Sequence, residues 1–146
     1  MSGPTDPAEA HFDKGLWGWD LAQWRKMPMI WGYSDRWAEV AVGTSTGGAA
    51  TNAETTPVPA GYVYVLNYWT VVHTDTVVRS SFLTLAVGNV EVYLLKDTAM
   101  IQDIEQYGAV SAVLKEGDTA RFVVWGLTEG KYAILNVWGY KMAVGQ

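Results

Sequence analysis

From residue 62 onward the chain offers six runs rich in β-branched and aromatic residues: 62–73, 79–87, 90–96, 109–114, 119–125 and 131–141. They follow one another at short intervals, and turn chemistry separates them. Gly88-Asn89 is a two-residue hairpin signal, Glu116-Gly117-Asp118 a tight reversal and Thr128-Glu129-Gly130 a slightly longer hairpin loop. Six strands spaced in this way predict an all-β, antiparallel sandwich or barrel. A further strand is expected at 36–43, where Trp37, Glu39 and Ala41 alternate with Ala38, Val40 and Val42. Residues 97–107 stay open between a helical face, with Met100, Ile101 and Ile104, and an irregular crossover.

The longest run is apolar on both of its alternating faces. Tyr62, Tyr64, Leu66, Tyr68 and Val72 fall on one, Val63, Val65, Trp69 and Val71 on the other. A solvated sandwich strand carries polar residues on its outer side, so something has to cover this one. The last run repeats the pattern, with Tyr132, Ile134, Trp138 and Tyr140 opposite Ala133, Leu135 and Val137. The strand tryptophans Trp69, Trp125 and Trp138 read as packing residues.

Ahead of these strands stand Trp17, Trp19, Trp24, Trp31 and Trp37, five of the chain's eight tryptophans. The expected division is an N-terminal arm over 1–35 and a β-domain over 36–146 that includes a flexible linker at 44–59, rich in Ala and Thr with Gly47-Gly48. In the arm, Pro4 and Pro7 favour an extended course over 1–15. Asp20 with Gln23 three residues on resembles a capping box, and Leu21, Trp24 and Met27 recur at helical spacing until Pro28, which permits one short helix. Such a segment cannot bury its rings by itself. Each Trp buries roughly 150–250 Å² when covered, so Trp17, Trp19, Trp24 and Trp31 are expected to anchor an interface across a chain boundary.

Composition narrows the chemistry. The 146 residues hold 10 Lys and Arg against 15 Asp and Glu, a net charge of −5 with no basic excess in either half, which argues against nucleic acid as a partner. There is no cysteine, and therefore no disulfide, thiol catalysis or thiolate metal site. No apolar run approaches the roughly 20 residues of a membrane-spanning helix, and the first residues show no secretory signal pattern, so use without export and without a membrane is expected. Only His11 and His73 are available, too few for a multi-histidine metal site; His73-Thr74-Asp75 reads as a turn with Asp75 capping its own backbone. Ser80 and Ser81 lack a nucleophile-elbow context. Asp97, Asp103 and Glu105 form an acidic stretch of the kind solvated loops carry. No cofactor and no enzymatic activity are expected.

Four segments in order carry a resemblance: Val58-Pro59-Ala60-Gly61-Tyr62-Val63-Tyr64-Val65, His73-Thr74-Asp75, Val113-Leu114-Lys115-Glu116-Gly117-Asp118-Thr119 and Leu135-Asn136-Val137-Trp138-Gly139-Tyr140. Over about residues 57–142 the chain resembles the small jelly-roll decoration, or cement, proteins of tailed bacteriophages. The resemblance implies a jelly-roll-like fold, a homotrimer, the major capsid protein as partner, and a place on the virion exterior after synthesis in the host cytoplasm. It implies a structural role, stabilising an expanded capsid by bridging its subunits. On the domain, Tyr62, Tyr64, Tyr68, Tyr132 and Tyr140 are the candidate interface residues. A carbohydrate- or receptor-binding β-sandwich of fibre or lectin type is the alternative, since sugars also stack on exposed aromatic rings.

Overall fold

The computed structural model of the protein describes residues 17–19, 24–26 and 35–143. They belong to two units, Met1–Asp35 and Arg36–Gln146. In the first, β1 (Trp17–Trp19) and β2 (Trp24–Lys26) make an antiparallel ribbon in which Trp17 lies opposite Lys26, Gly18 opposite Arg25 and Trp19 opposite Trp24. The short helix expected from Asp20 is thereby corrected at Trp24–Lys26. Two helical turns before Pro28 cannot sustain themselves, whereas a cross-strand Trp pair favours a ribbon. Trp31 and the extended course of 1–15 lie outside the described residues.

The second unit holds β3 (Asp35–Thr44), β4 (Ala50–Glu54), β5 (Tyr62–His73), β6 (Arg79–Val87), β7 (Val90–Met100), β8 (Gln106–Leu114), β9 (Thr119–Trp125) and β10 (Tyr132–Ala143). They form two four-stranded sheets, in the orders β3-β10-β5-β8 and β4-β9-β6-β7. The chain passes repeatedly from one sheet to the other, and the pairs with defined register are antiparallel. This is a jelly-roll sandwich: the strand spacing and turns predict an antiparallel sandwich or barrel, and the jelly roll is what the resemblance implies.

Three local expectations change. The stretch 44–59 contains strand β4, paired residue for residue with β9, so it is not a loose linker. Its inward residues Thr51 and Ala53 are small, and Ala53 sits opposite Phe122, whose bulky side chain is fully buried. Residues 97–107 take neither reading in full: β7 runs on to the fully buried Met100, a turn at Gln102 and Asp103 follows, and β8 begins at Gln106. The third change concerns the faces of β5. A bulge shifts the register at Asn67: between Leu66 and Tyr68, β5 carries one residue more than β10 and one fewer than β8. The bulge reverses the alternation, because one added residue moves every side chain beyond it to the other face. Tyr62, Tyr64 and Leu66 therefore share the inner face with Trp69, Val71 and His73, while Tyr68, Thr70 and Val72 turn outward.

The core between the sheets is continuous, from Trp37, Leu66 and Trp69 through Leu83, Met100 and Phe122 to Leu135 and Val137. Trp37, one of the five leading tryptophans, belongs to this core, its ring centroid 4.8 Å from that of Tyr64. Trp69 lies over Gly108 of the neighbouring strand, where a Cβ would come within 2.5 Å of its Cζ2. Only a glycine leaves room for the indole there. Trp69→Ala is expected to cost about 3–5 kcal/mol of stability, the range for removing a large buried aromatic, as read by urea denaturation. A change under about 1 kcal/mol would contradict this packing.

Candidate functional site

The two outer faces of the sandwich differ in kind. On the β4-β9-β6-β7 sheet, Arg121 of β9 reaches Glu91 of β7 at 3.0 Å and Glu54 of β4 at 3.2 Å, so the ion pairs span all four strands. Burial alone would raise the Glu54 carboxyl, but bonds from the Thr119 hydroxyl and Arg121 hold it below the usual carboxylate range. Phe82 and Tyr93, with ring centroids 5.6 Å apart, and the exposed Trp125 share this face with the ion pairs. On the β3-β10-β5-β8 sheet the register brings Tyr107, Tyr68, Trp138 and Val40 outward from β8, β5, β10 and β3 in turn. Tyr68 is 6.2 Å from Tyr107 and 5.5 Å from Trp138, centroid to centroid. Trp138 and Val40 line a shallow hollow of about 120 Å³ together with Ala38, Glu39, Asn136 and Val137. An aromatic and aliphatic row thus crosses every strand of the sheet. Tyr107 is 69% exposed, Val40 64%, Val42 56% and Trp138 42%. Among the described residues that the two-residue period turns outward on this sheet, Arg36 at the start of β3 alone is charged.

Sequence reasoning finds part of this surface. Tyr68 and Tyr132 are outward and exposed, and Tyr140 is outward and half-buried. Tyr62 and Tyr64 are not on it. They meet edge to face on the inner side, at 6.4 Å, and Tyr64 packs on the core. Trp138 and Trp125, expected as packing residues, are both exposed. Val40, Val42 and Tyr107 are missed. On β3 the aliphatic set Ala38, Val40, Val42 reads as the inner face, yet Trp37 and Ala41 are the buried members. Of the arm positions, Trp17, Trp19 and Trp24 lie in the β1–β2 ribbon, where the two-residue period puts positions 17, 19, 24 and 26 on one side of the backbone.

Among the described residues, several groups that could carry chemistry serve the structure. Asp75 is almost fully buried and accepts from Thr128 N at 2.8 Å, Val77 N at 3.2 Å, the Thr128 hydroxyl, and Arg79 Nε at 3.0 Å and Nη2 at 2.9 Å. Burial raises its carboxyl, but these donors outweigh burial and hold it far below the usual range. The bond from Val77 is the backbone cap expected of this turn. His73, fully buried, donates from Nε2 to the Met100 carbonyl at 2.9 Å and accepts at Nδ1 from Asp75 N at 3.2 Å, which fits the neutral ring with its proton on Nε2. Asp97 accepts from Ala99 N and from the Gln106 amide. Asp118 accepts from Gly88 N and Lys115 N. Ser81 Oγ bonds to Met100 Sδ at 3.2 Å. Among the described residues no group of three or more His, Asp or Glu is arranged to hold a metal ion.

No protein-family profile matches this chain, and no curated protein does. Solved structures align with it at very low identity and low TM-scores. The family 32 CBM from C. perfringens NanJ in complex with galactose aligns at 11% identity and a TM-score of 0.36, over 70% of this chain and 93% of that one. A CBM4 structure aligns at 11% identity and a TM-score of 0.30, over 73% and 83%. A structure of infectious bursal disease virus, Gt strain, aligns at 6% identity and a TM-score of 0.40, over 86% and 37%.

Proposed function

We propose that this chain is a structural protein of a tailed-phage virion, a homo-oligomeric cement protein that binds the outside of the expanded capsid and bridges its subunits, with no reaction of its own. The observation that carries the reading is the aromatic outer face of the β3-β10-β5-β8 sheet, where Arg36 alone is charged among the described outward residues, set against the ion-paired outer face of the other sheet. A broad apolar face is suited to protein association, because its coverage releases ordered water over a wide area. The Trp-rich ribbon supplies a second apolar element, and binding that favours the assembled shell stabilises it by mass action. The buried Asp75 and His73 described above hold a corner of the sandwich together.

The competing reading is a carbohydrate-binding module, favoured by Asn136 and Thr70, whose side chains are joined at 3.0 Å beside the exposed rings. Sugar platforms present ring faces in one plane, whereas Tyr68 is tilted by 30° to Tyr107 and by 50° to Trp138. The deciding experiment mixes purified protein with undecorated expanded phage heads and, in parallel, with a glycan panel. Saturable binding to heads and none to glycans is expected; saturation of a glycan without head binding would overturn the reading. In the same assay Trp17→Ala, Trp19→Ala, Trp24→Ala and Trp31→Ala should each weaken head binding by roughly 30-fold, as loss of about 2 kcal/mol at an anchor does. The melting of the dissociated subunit should stay unchanged. If these substitutions unfold the subunit instead, the arm is a lid on its own sandwich.

A further inference from the structure

Four aliphatic residues gather at one end of the sandwich. Val77 and Val78 lie in the β5–β6 connection, Ile101 and Ile104 in the β7–β8 turn, and each is more than half exposed. The β6–β7 ladder ends on the pair Arg79 and Met100, so Val78 and Ile101 are the next residues beyond it on the two strands. Turns in water are ordinarily polar, and aliphatic side chains left open over on the order of a few hundred Å² mark a contact site.

The turn that carries them is held in place. Asp103 N donates to the His73 carbonyl at 3.0 Å and the Gln102 side-chain amide to the Thr74 carbonyl at 3.2 Å, which staples the β7–β8 turn to the end of β5. Asp103 takes a φ of 54°, a left-handed conformation that few residues besides glycine, asparagine and aspartate accept. Ile101 and Ile104 are thus presented on a fixed backbone, and a partner meets them at little ordering cost.

Charge selects that partner. Asp103 and Glu105, both exposed, flank Ile104, and Glu129 is exposed in the loop before β10. Arg79 is taken up by Asp75, and among the described residues no Lys or Arg forms an ion pair with Asp103, Glu105 or Glu129. Against Lys131, half-buried at the start of β10, the three carboxylates leave this end negative. A second copy would press the same carboxylates together, and an anionic lipid surface would repel them. An apolar pocket with a basic rim satisfies both the aliphatic side chains and the carboxylates.

We infer that this end of the sandwich, with Ile101 and Ile104 as its anchors, docks into an apolar pocket rimmed by Lys or Arg on another protein. The inference rests on the cement reading to place that pocket on the capsid exterior, and it adds which end of the domain meets the shell and what chemistry the shell presents there.

Retention by undecorated expanded heads, measured over a series of NaCl concentrations, tests it on the full chain. Ile101→Ser and Ile104→Ser should each weaken retention at least about tenfold, with circular dichroism and melting unchanged, since both side chains stand in solvent in the free protein. Ile104→Ala should act in the same direction by a smaller factor, and covers the case in which a Ser variant misfolds. Asp103→Asn combined with Glu105→Gln, which keeps the shape and removes both charges, should weaken retention at low salt and flatten its salt dependence. Val90→Ser, similarly exposed beside the β6–β7 turn at the opposite end, should change nothing. Heads that hold the isoleucine variants as tightly as wild type, or that lose Val90→Ser equally, overturn the inference and leave the cement reading standing. An unaltered salt dependence in the combined amide variant overturns the basic rim. Heads that retain no wild type overturn both proposals. Capture of wild type by phosphatidylserine vesicles, lost in the isoleucine variants, assigns this end to a membrane and overturns the protein partner.

Discussion

Gly139→Ala is expected to cost on the order of 3 kcal/mol or more, and Gly139→Val to prevent folding, because a Cβ at this position would be driven into the Val65 carbonyl oxygen. The next atoms, Val65 C at 2.9 Å and Leu66 Cα at 3.3 Å, are backbone as well, so no side-chain rotation relieves the clash. The site lies where the β5 bulge at Asn67 brings β10 and β5 together, in the two central strands of their sheet. Any shift of β10 must therefore break the ladder on both of its sides. Gly48→Ala is the control, its nearest neighbour being Thr46 Oγ1 at 3.9 Å, and should stay within about 1 kcal/mol of wild type. Urea denaturation of the three proteins decides the matter. A Gly139→Ala variant as stable as the control would mean that β5 and β10 do not approach in this way.

That bulge also marks where the sequence stops being legible. The strands β5, β6 and β9 can be read to the residue, because runs of Val, Leu, Tyr and Phe bounded by Gly, Pro and Asp leave little choice of conformation. Their faces cannot be read from alternation alone. Asn67 is one polar residue in a largely apolar strand, with no glycine or proline beside it, and alternation carried through it assigns Tyr62 and Tyr64 to the wrong side. β4 escapes notice for a different reason. Thr51 and Ala53 are small because the chains approach closely there, as the fit of Gly43 against the Asn52 backbone demonstrates, so the hydrophobic contrast that reveals a strand is absent. In β1 and β2 the helical spacing of Leu21, Trp24 and Met27 competes with a two-residue period that begins at Trp17. Three residues on each strand suffice for the second because Trp19 and Trp24 stand opposite one another.

The candidate surface was half visible for related reasons. The apolar excess on β5 and β10 requires an outer cover whichever residues supply it, and that requirement follows from composition and period alone. Which tryptophan is inside does not. Trp69 and Trp138 occupy neighbouring strands and look alike in sequence, yet Trp69 has Gly108 beneath it while Trp138 lies beside Tyr68 on the outer face. Which indole is inside is set by the face each strand's period gives it, and Gly108 on a third strand leaves the room that Trp69 needs.

Asp75→Asn should lower stability by about 3 kcal/mol at pH 7, the lower end of the range for breaking a buried ion pair, because Arg79 keeps 22% of its side-chain surface in solvent and is not left wholly unpaired. The carboxylate joins the β5–β6 connection to Thr128 in the loop before β10, while His73 two residues earlier holds the end of β7 through the Met100 carbonyl. One corner of the sandwich thus hangs on two adjacent polar groups. The sign of the pH dependence follows from the depressed acidity of Asp75. Unfolded, the group takes up a proton near pH 4, whereas in the fold it stays ionised to far lower pH. Its contribution is therefore complete above about pH 4 and is lost progressively as the pH falls below that. Glu54, also held low, loses stabilisation in the same direction, so the informative quantity is the difference between wild type and Asp75→Asn, measured by urea denaturation from pH 7 to pH 2. That difference should be constant down to about pH 4 and shrink below it. A difference that stays constant to pH 2 would mean that the Asp75 carboxylate does not depend on its charge, and that its hydrogen bonds to Thr128 and Val77 hold the corner by themselves.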